Sequence, residues 1–293
     1  MNIAARLAIF ALWLVHWLPA GWQSGIGALV GALAYRFASG RRRVARRNLE
    51  LCLPELDATA RERLMKDHFR WLGRSIVERG LLWFAPRERL LRLIEVEGDV
   101  HFAERSEAPV MWLVPHFMAL EAAATATQLF QSRRGATIYQ KQSSAVFDAA
   151  MRAGRERFGD SVLFSRKDSA KPLIRAIRQD KLGFFNLPDM DFGRKDAEFV
   201  PFFGVSAATL IAPARMAKML GMVVQPVVAE MRDGGGWRVT FHEPWSGWPT
   251  DDPIADTLRL NQWIEAAVRR HPAQYLWVHK RFKTRPVGEA SLD

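Results

Sequence analysis

The chain has 293 residues and sets 42 Lys and Arg against 31 Asp and Glu, a formal charge of +11. That excess attracts acidic partners, whether nucleic acid, an anionic bilayer or an acidic carrier protein. The length suits one large α/β domain or two small ones, and the single cysteine, Cys52, excludes an intramolecular disulfide and a cysteine metal site.

From Ile3 to Phe37 the only strongly polar residues are Arg6, His16, Gln23, Ser24 and Arg36. Pro19 and Gly21 split this stretch in two, and each half is shorter than the ~20 residues that span a bilayer comfortably. The basic run RRRVARR, Arg41 to Arg47, follows at once. Such a cluster beside an apolar segment marks a cytoplasmic side and is drawn to anionic headgroups. Eleven tryptophans against three tyrosines add to a membrane-interface reading. A cleaved signal peptide fits less well, because a second apolar stretch follows the first. The expectation is an N-terminal apolar helical membrane anchor in a membrane-associated segment, residues 1–40, ahead of one catalytic domain, residues 41–293. GIGALVG, Gly25 to Gly31, lacks the strand context of a dinucleotide fingerprint and reads as close helix packing.

Further along, capping-box spacing at Thr59-Ala60-Arg61-Glu62 and apolar residues at helical intervals predict a helix from Thr59 to Trp83. IEVEG from Ile94 and PVMWLV (Pro109 to Val114) read as strands, and Leu120 to Phe130 as a helix. Ala136 to Gln140, Ser161 to Phe164 and Leu182 to Leu187 are strand-like. They alternate with helices at Ser144 to Phe158 and Ala170 to Gln179. Ala207 to Leu220 reads as helical. Met222 to Met231 and Trp237 to Glu243 form a hairpin around Asp233-Gly234-Gly235-Gly236, and Asp256 to Arg270 is a last amphipathic helix. This alternation predicts an α/β fold with a mostly parallel central sheet covered by helices on both faces. Its chemistry is expected at the carboxyl ends of the strands.

VPHFMALE, Val114 to Glu121, carries the candidate chemistry. His116 follows a buried strand and Glu121 opens the next helix, so the carboxylate can fold back to fix the imidazole tautomer and leave a general base. No His-Glu-x-x-His and no Gly-x-Ser-x-Gly occurs, which disfavours a zinc peptidase and a serine hydrolase. Asp189-Met190-Asp191 after a buried strand could hold a divalent metal on a nucleotide-sugar. A membrane-bound, metal-dependent glycosyltransferase using Asp189 and Asp191 is therefore the alternative; the same pair could instead order the site. No nucleic-acid module is present.

VPHFMALE resembles the His-x4-Asp/Glu motif of glycerolipid-type acyltransferases. The longer segments RRNLELCLPEL (Arg46 to Leu56), HFRWLGRSIVE (His68 to Glu78), AGRERFGDSVLFSRKD (Ala153 to Asp168), PDMDFGRKDAEFVPFFGVSAAT (Pro188 to Thr209) and YLWVHKRFKTRP (Tyr275 to Pro286) resemble the late, or secondary, acyltransferases of lipid A biosynthesis. These are the lauroyl and myristoyl transferases of Gram-negative inner membranes. Pro115 and Gln140 depart from the family pattern. The resemblance implies acyl transfer from an acidic acyl carrier protein to a hydroxyl of a lipid A precursor, for lipopolysaccharide. It implies no metal and no cofactor, anionic inner-membrane lipids and no nucleic acid as partners, and a catalytic domain facing the cytoplasm. His116 oriented by Glu121 would be the base. Arg155 and Arg166 are candidates for the oxyanion donor or a phosphate clamp, with Asp189 and Asp191 ordering or binding substrate. FVPFFG, Phe199 to Gly204, reads as a rigid aromatic turn, and HKRFKTRP, His279 to Pro286, as a basic surface for lipid phosphates or the carrier.

Overall fold

The computed structural model describes residues 3–167 and 170–292. Met1 and Asn2 of the first segment, and Asp168 at the end of the Ala153–Asp168 segment, lie outside the described residues. The backbone breaks where Pro19 removes an amide donor, between α1 (Ile3–Val15) and α2 (Ala20–Phe37). The basic run forms α3 (Ser39–Cys52). Then comes α4 (Ala58–Val77), whose cap is Asp57, its carboxylate accepting from the Ala60 amide at 2.7 Å.

The expected membrane anchor needs correction. Among the described residues no helix is long and apolar enough to cross a membrane. The 13 residues of α1 reach about 20 Å at 1.5 Å each, short of a bilayer core of about 30 Å. In α2 the glycines and polar residues serve packing on α4. A Cβ on Gly31 would lie 2.0 Å from the Phe69 carbonyl oxygen, and one on Gly73 2.2 Å from backbone atoms of Gly27 and Gly31. Ser24 Oγ donates to Glu78 Oε1 at 2.9 Å, and Arg74 Nε donates to the same oxygen at 2.7 Å. Leu7, Trp17, Trp22 and Leu33 stay exposed. Gly73→Ala is expected to cost about 1–3 kcal/mol through overpacking of this backbone contact. Chemical denaturation checks it, and an unchanged midpoint would refute the packing argument.

The helix expected to reach Trp83 stops at Val77, and α5 (Arg79–Phe84) starts anew beyond Glu78. Gly80 there brings α5 against α1, since a Cβ would sit 2.5 Å from the Leu12 carbonyl oxygen. The chain continues through α6 (Arg87–Leu93), β1 (Ile94–Gly98), α7 (Phe102–Arg105), β2 (Val110–Leu113), α8 (Leu120–Leu129) and β3 (Gly135–Tyr139). Next come α9 (Ala145–Glu156), β4 (Val162–Ser165), α10 (Lys171–Asp180) and β5 (Gly183–Asn186). A hairpin of β6 (Ala197–Phe202) and β7 (Val205–Leu210) precedes α11 (Ala212–Leu220), β8 (Val223–Met231), β9 (Trp237–Phe241) and α12 (Pro253–Arg270).

Seven strands make one sheet in the order β1-β9-β8-β2-β5-β3-β4, parallel except for the β8–β9 hairpin. β2 is buried on both faces, so its alternate residues enter different cores. Val110 and Trp112 join Ala122 and Ala126 of α8, while Met111 and Leu113 join a cluster holding Leu173 of α10 and Ile264 of α12. The helix expected from Ala207 begins only at Ala212, because residues up to Leu210 pair antiparallel with β6. Arg281 fastens that strand, donating to the Ala208 carbonyl at 2.8 Å and to Thr209 Oγ1 at 2.6 Å. Tertiary pairing here overrides the helical preference of alanine.

Candidate active site

The site lies where β2 and β5, parallel neighbours at the sheet centre, reach their carboxyl ends together. Val114 N–H donates to the Asn186 carbonyl at 2.9 Å, carrying the ladder one step past β2. Both chains then leave through a proline, Pro115 and Pro188, followed directly by His116 and Asp189. His116 Nδ1 lies 2.6 Å from Asp189 Oδ1, and the His116 amide donates to Asp189 Oδ2 at 2.9 Å. One carboxylate therefore holds both backbone and ring. The His116 carbonyl accepts from the Leu276 amide at 3.0 Å, which adds a third tether.

Asp189 is 1% exposed. Burial alone would raise its pKa, but the His116 charge and hydrogen bonds, with one from the Tyr275 hydroxyl, hold it below the usual carboxylate range. An ionised carboxylate only accepts, so Nδ1 carries a proton, and whenever the ring is neutral Nε2 is the acceptor. The tautomer is assigned from this hydrogen-bond pattern.

Glu121, expected to brace His116, is taken by a different partner. Its oxygens accept from Arg155 Nε at 3.2 and 3.0 Å, and a second Arg155 nitrogen closes a bidentate pair. Burial pushes its pKa up, but Arg155 and then Arg79 outweigh that and hold it at about 2. The folded-state value lies below the ordinary 4.5. Its contribution to stability is thus full above about pH 4.5 and lost as pH falls toward 2. The melting-temperature gap between wild type and Glu121→Gln should narrow over that range; a constant gap down to pH of about 2 would contradict the pairing.

His116, Glu121, Arg155 and Arg166 all line one groove of about 470 Å³. Arg166 is exposed at its mouth, with its guanidinium 3.7 Å from the Phe192 ring centroid. Asp189 lies behind His116. Asp191 is directed elsewhere: it accepts from Gly193 N, Thr284 N and Thr284 Oγ1 at 2.8–2.9 Å. Its own amide donates to His279 Nε2 at 3.0 Å. This is a turn-ordering role. Among the described residues no group of three His, Cys, Asp or Glu is placed to hold a metal ion.

HKRFKTRP is divided: Arg281 and Phe282 turn inward, while Lys280 and Lys283 are exposed. Arg281 is 3% exposed, and burial lowers the His279 pKa to about 4, against an upward pull from Asp189. FVPFFG ends β6 and makes its turn into β7, with Phe203 and Gly204 at positive φ. Its Phe202 packs against Tyr275 and Phe282, which fixes the tyrosine beneath Asp189.

Two groove residues escaped the sequence reading. Asn186, with a buried Oδ1 lacking a hydrogen-bond partner, ends β5 beside the histidine turn. Arg79 comes from α5, and burial lowers its pKa against the pull of Glu121. The position of Asn186 at the carboxyl end of a buried strand was the available signal for it. A second hollow of about 600 Å³ between α3 and α4 contains none of these groups.

The family model for bacterial lipid A biosynthesis acyltransferases matches residues 2–284. The chain is 34% identical over 285 residues to the lipid A biosynthesis palmitoleoyltransferase of Escherichia coli K12, covering 96% of this chain and 91% of the relative. It is 33% identical to the lauroyltransferase of the same organism, covering 97% and 93%. To its myristoyltransferase it is 32% identical, covering 97% and 88%.

Proposed function

The chain belongs to the bacterial lipid A biosynthesis acyltransferase family, and from that premise we propose that it moves a fatty acyl group from an acyl-carrier-protein thioester to a hydroxyl of a lipid A precursor. The observation that carries the mechanism is the Asp189–His116 contact at the mouth of an apolar groove.

His116 Nε2 takes the proton of the acceptor hydroxyl as that oxygen bonds to the thioester carbonyl carbon. Asp189 keeps Nδ1 protonated and stabilises the imidazolium. Negative charge gathers on the thioester oxygen, where Arg166 or the Asn186 amide can meet it. The carbonyl re-forms, the carbon–sulfur bond breaks, and the thiolate takes the proton back from Nε2. Glu121 holds Arg155, and through charge Arg79, along the groove wall. It thereby neutralises buried guanidinium groups that would otherwise stand unpaired.

A charge of +11 suits both an acidic carrier and an anionic lipid surface. A lipid acceptor and a carrier-bound donor meet at the cytoplasmic face of the inner membrane, where we place the enzyme. The glycosyltransferase alternative is not favoured, because Asp189 is engaged by the histidine and Asp191 by Thr284 and Gly193. Full-length protein incubated with acyl-carrier thioester and an under-acylated lipid A precursor should release carrier thiol and add one acyl chain to the lipid. Acyl transfer only from another donor class would refute the carrier assignment.

A further inference from the structure

We propose that Trp112 forms the floor of the groove and sets the length of the donor acyl chain; this rests on the acyl-transfer reading above. Trp112 lies in β2, four residues before His116 and fully buried. At ~3.3 Å per residue along a strand, the floor lies on the order of 13 Å from the base. The register pairs Trp112 with Phe185, and Phe185 with Thr137, so the indole shares a sheet face with β5 and β3.

Its six-membered ring extends across those strands because nothing there blocks it. A Cβ on Gly183 would lie 2.3 Å from Cζ3 and 2.4 Å from Cη2, so only a glycine admits the ring. Gly135, the register partner of Gly183, lies under the ring edge, its own built Cβ 3.7 Å from Cζ3. Both Trp112 and Gly135 line the groove that His116 opens.

The indole Nε1 is buried and has no hydrogen-bond partner. Buried tryptophans usually satisfy that donor. Here packing alone holds the ring, and an apolar replacement would orphan no polar partner. The occupant is the donor acyl chain, since its carbonyl must sit beside His116 Nε2 and its tail must run into the apolar part of the groove. The terminal methyl then meets the indole face, and added methylenes clash with it.

The test is a donor profile, using carrier thioesters from decanoyl to palmitoyl with the full chain and a fixed acceptor. Trp112→Leu deepens the floor and should shift the preferred donor to a longer chain, changing the long-to-short kcat/KM ratio at least about ten-fold. Gly135→Val fills the same end. Its Cβ would meet Ser161 Oγ at 3.5 Å and Trp112 at 3.7 Å, ordinary contacts, so the backbone admits a side chain there and the added methyls should shift the preference to shorter chains. Opposite shifts support the proposal. An unmoved profile in a folded variant, or a shift in acceptor rather than donor preference, overturns it while leaving acyl transfer intact. Should Trp112→Leu not fold, an unmoved Gly135→Val profile overturns it alone. Wild-type protein that transfers no acyl group from any thioester overturns the reaction assignment as well.

Discussion

Replacing His116 by alanine is expected to lower kcat/KM for acyl transfer by about 10²- to 10⁴-fold while leaving the fold intact. The lower bound is the ordinary worth of a positioned general base, and the upper bound applies when charge support is lost with it. The side chain is only 14% exposed and its ring pairs with Asp189, so its removal vacates the groove mouth rather than the core. The backbone around it remains held through the Leu276 amide and Asp189 Oδ2. Circular dichroism should match wild type, while the melting temperature should fall somewhat, because the buried Asp189 carboxylate loses its ring partner. A variant that keeps wild-type turnover would show that the proton leaves by another route.

Asp189→Asn is expected to cost about 10²- to 10⁴-fold in kcat, because the amide inverts the hydrogen-bond logic. The His116 backbone N–H needs an acceptor, so the Asn oxygen must stay where Oδ2 stands. Its NH₂ then faces Nδ1. That nitrogen must become the acceptor, which moves the ring proton to Nε2 and removes the base. Stability should fall by about 1–3 kcal/mol, the cost of an imperfectly satisfied buried group. The readout that separates this from general damage is kcat falling with KM nearly unchanged. Loss confined to KM would assign Asp189 to acceptor binding instead.

The sheet was legible because its strands are short apolar runs bounded by turn residues, and the hairpin of β8 and β9 was marked by three consecutive glycines. The place of the histidine was legible too, since VPHFMALE sets His116 just past the end of a buried strand, where it lines the groove. What stayed hidden were contacts between segments far apart in sequence. His116 and Asp189 are 73 residues apart, and Glu121 and Arg155 are 34 apart. Only the β2–β5 adjacency, with β5 displaced from sequence order, brings the first pair together. Glu121 looked closer to His116 than it acts, because its place in the first turn of α8 turns it toward α9. The N-terminal helices misled for a related reason. Apolar content reads alike on a helix that crosses lipid and on one whose glycines seat it against another helix, as Gly27, Gly31 and Gly73 do.

A double-mutant cycle on His116→Ala and Asp189→Asn, scored in kcat/KM against one carrier thioester, isolates the partnership itself. If the carboxylate acts through the imidazole, the double variant will be no slower than His116→Ala alone. If the two losses multiply, the side chains work independently, and the braced-base account is wrong.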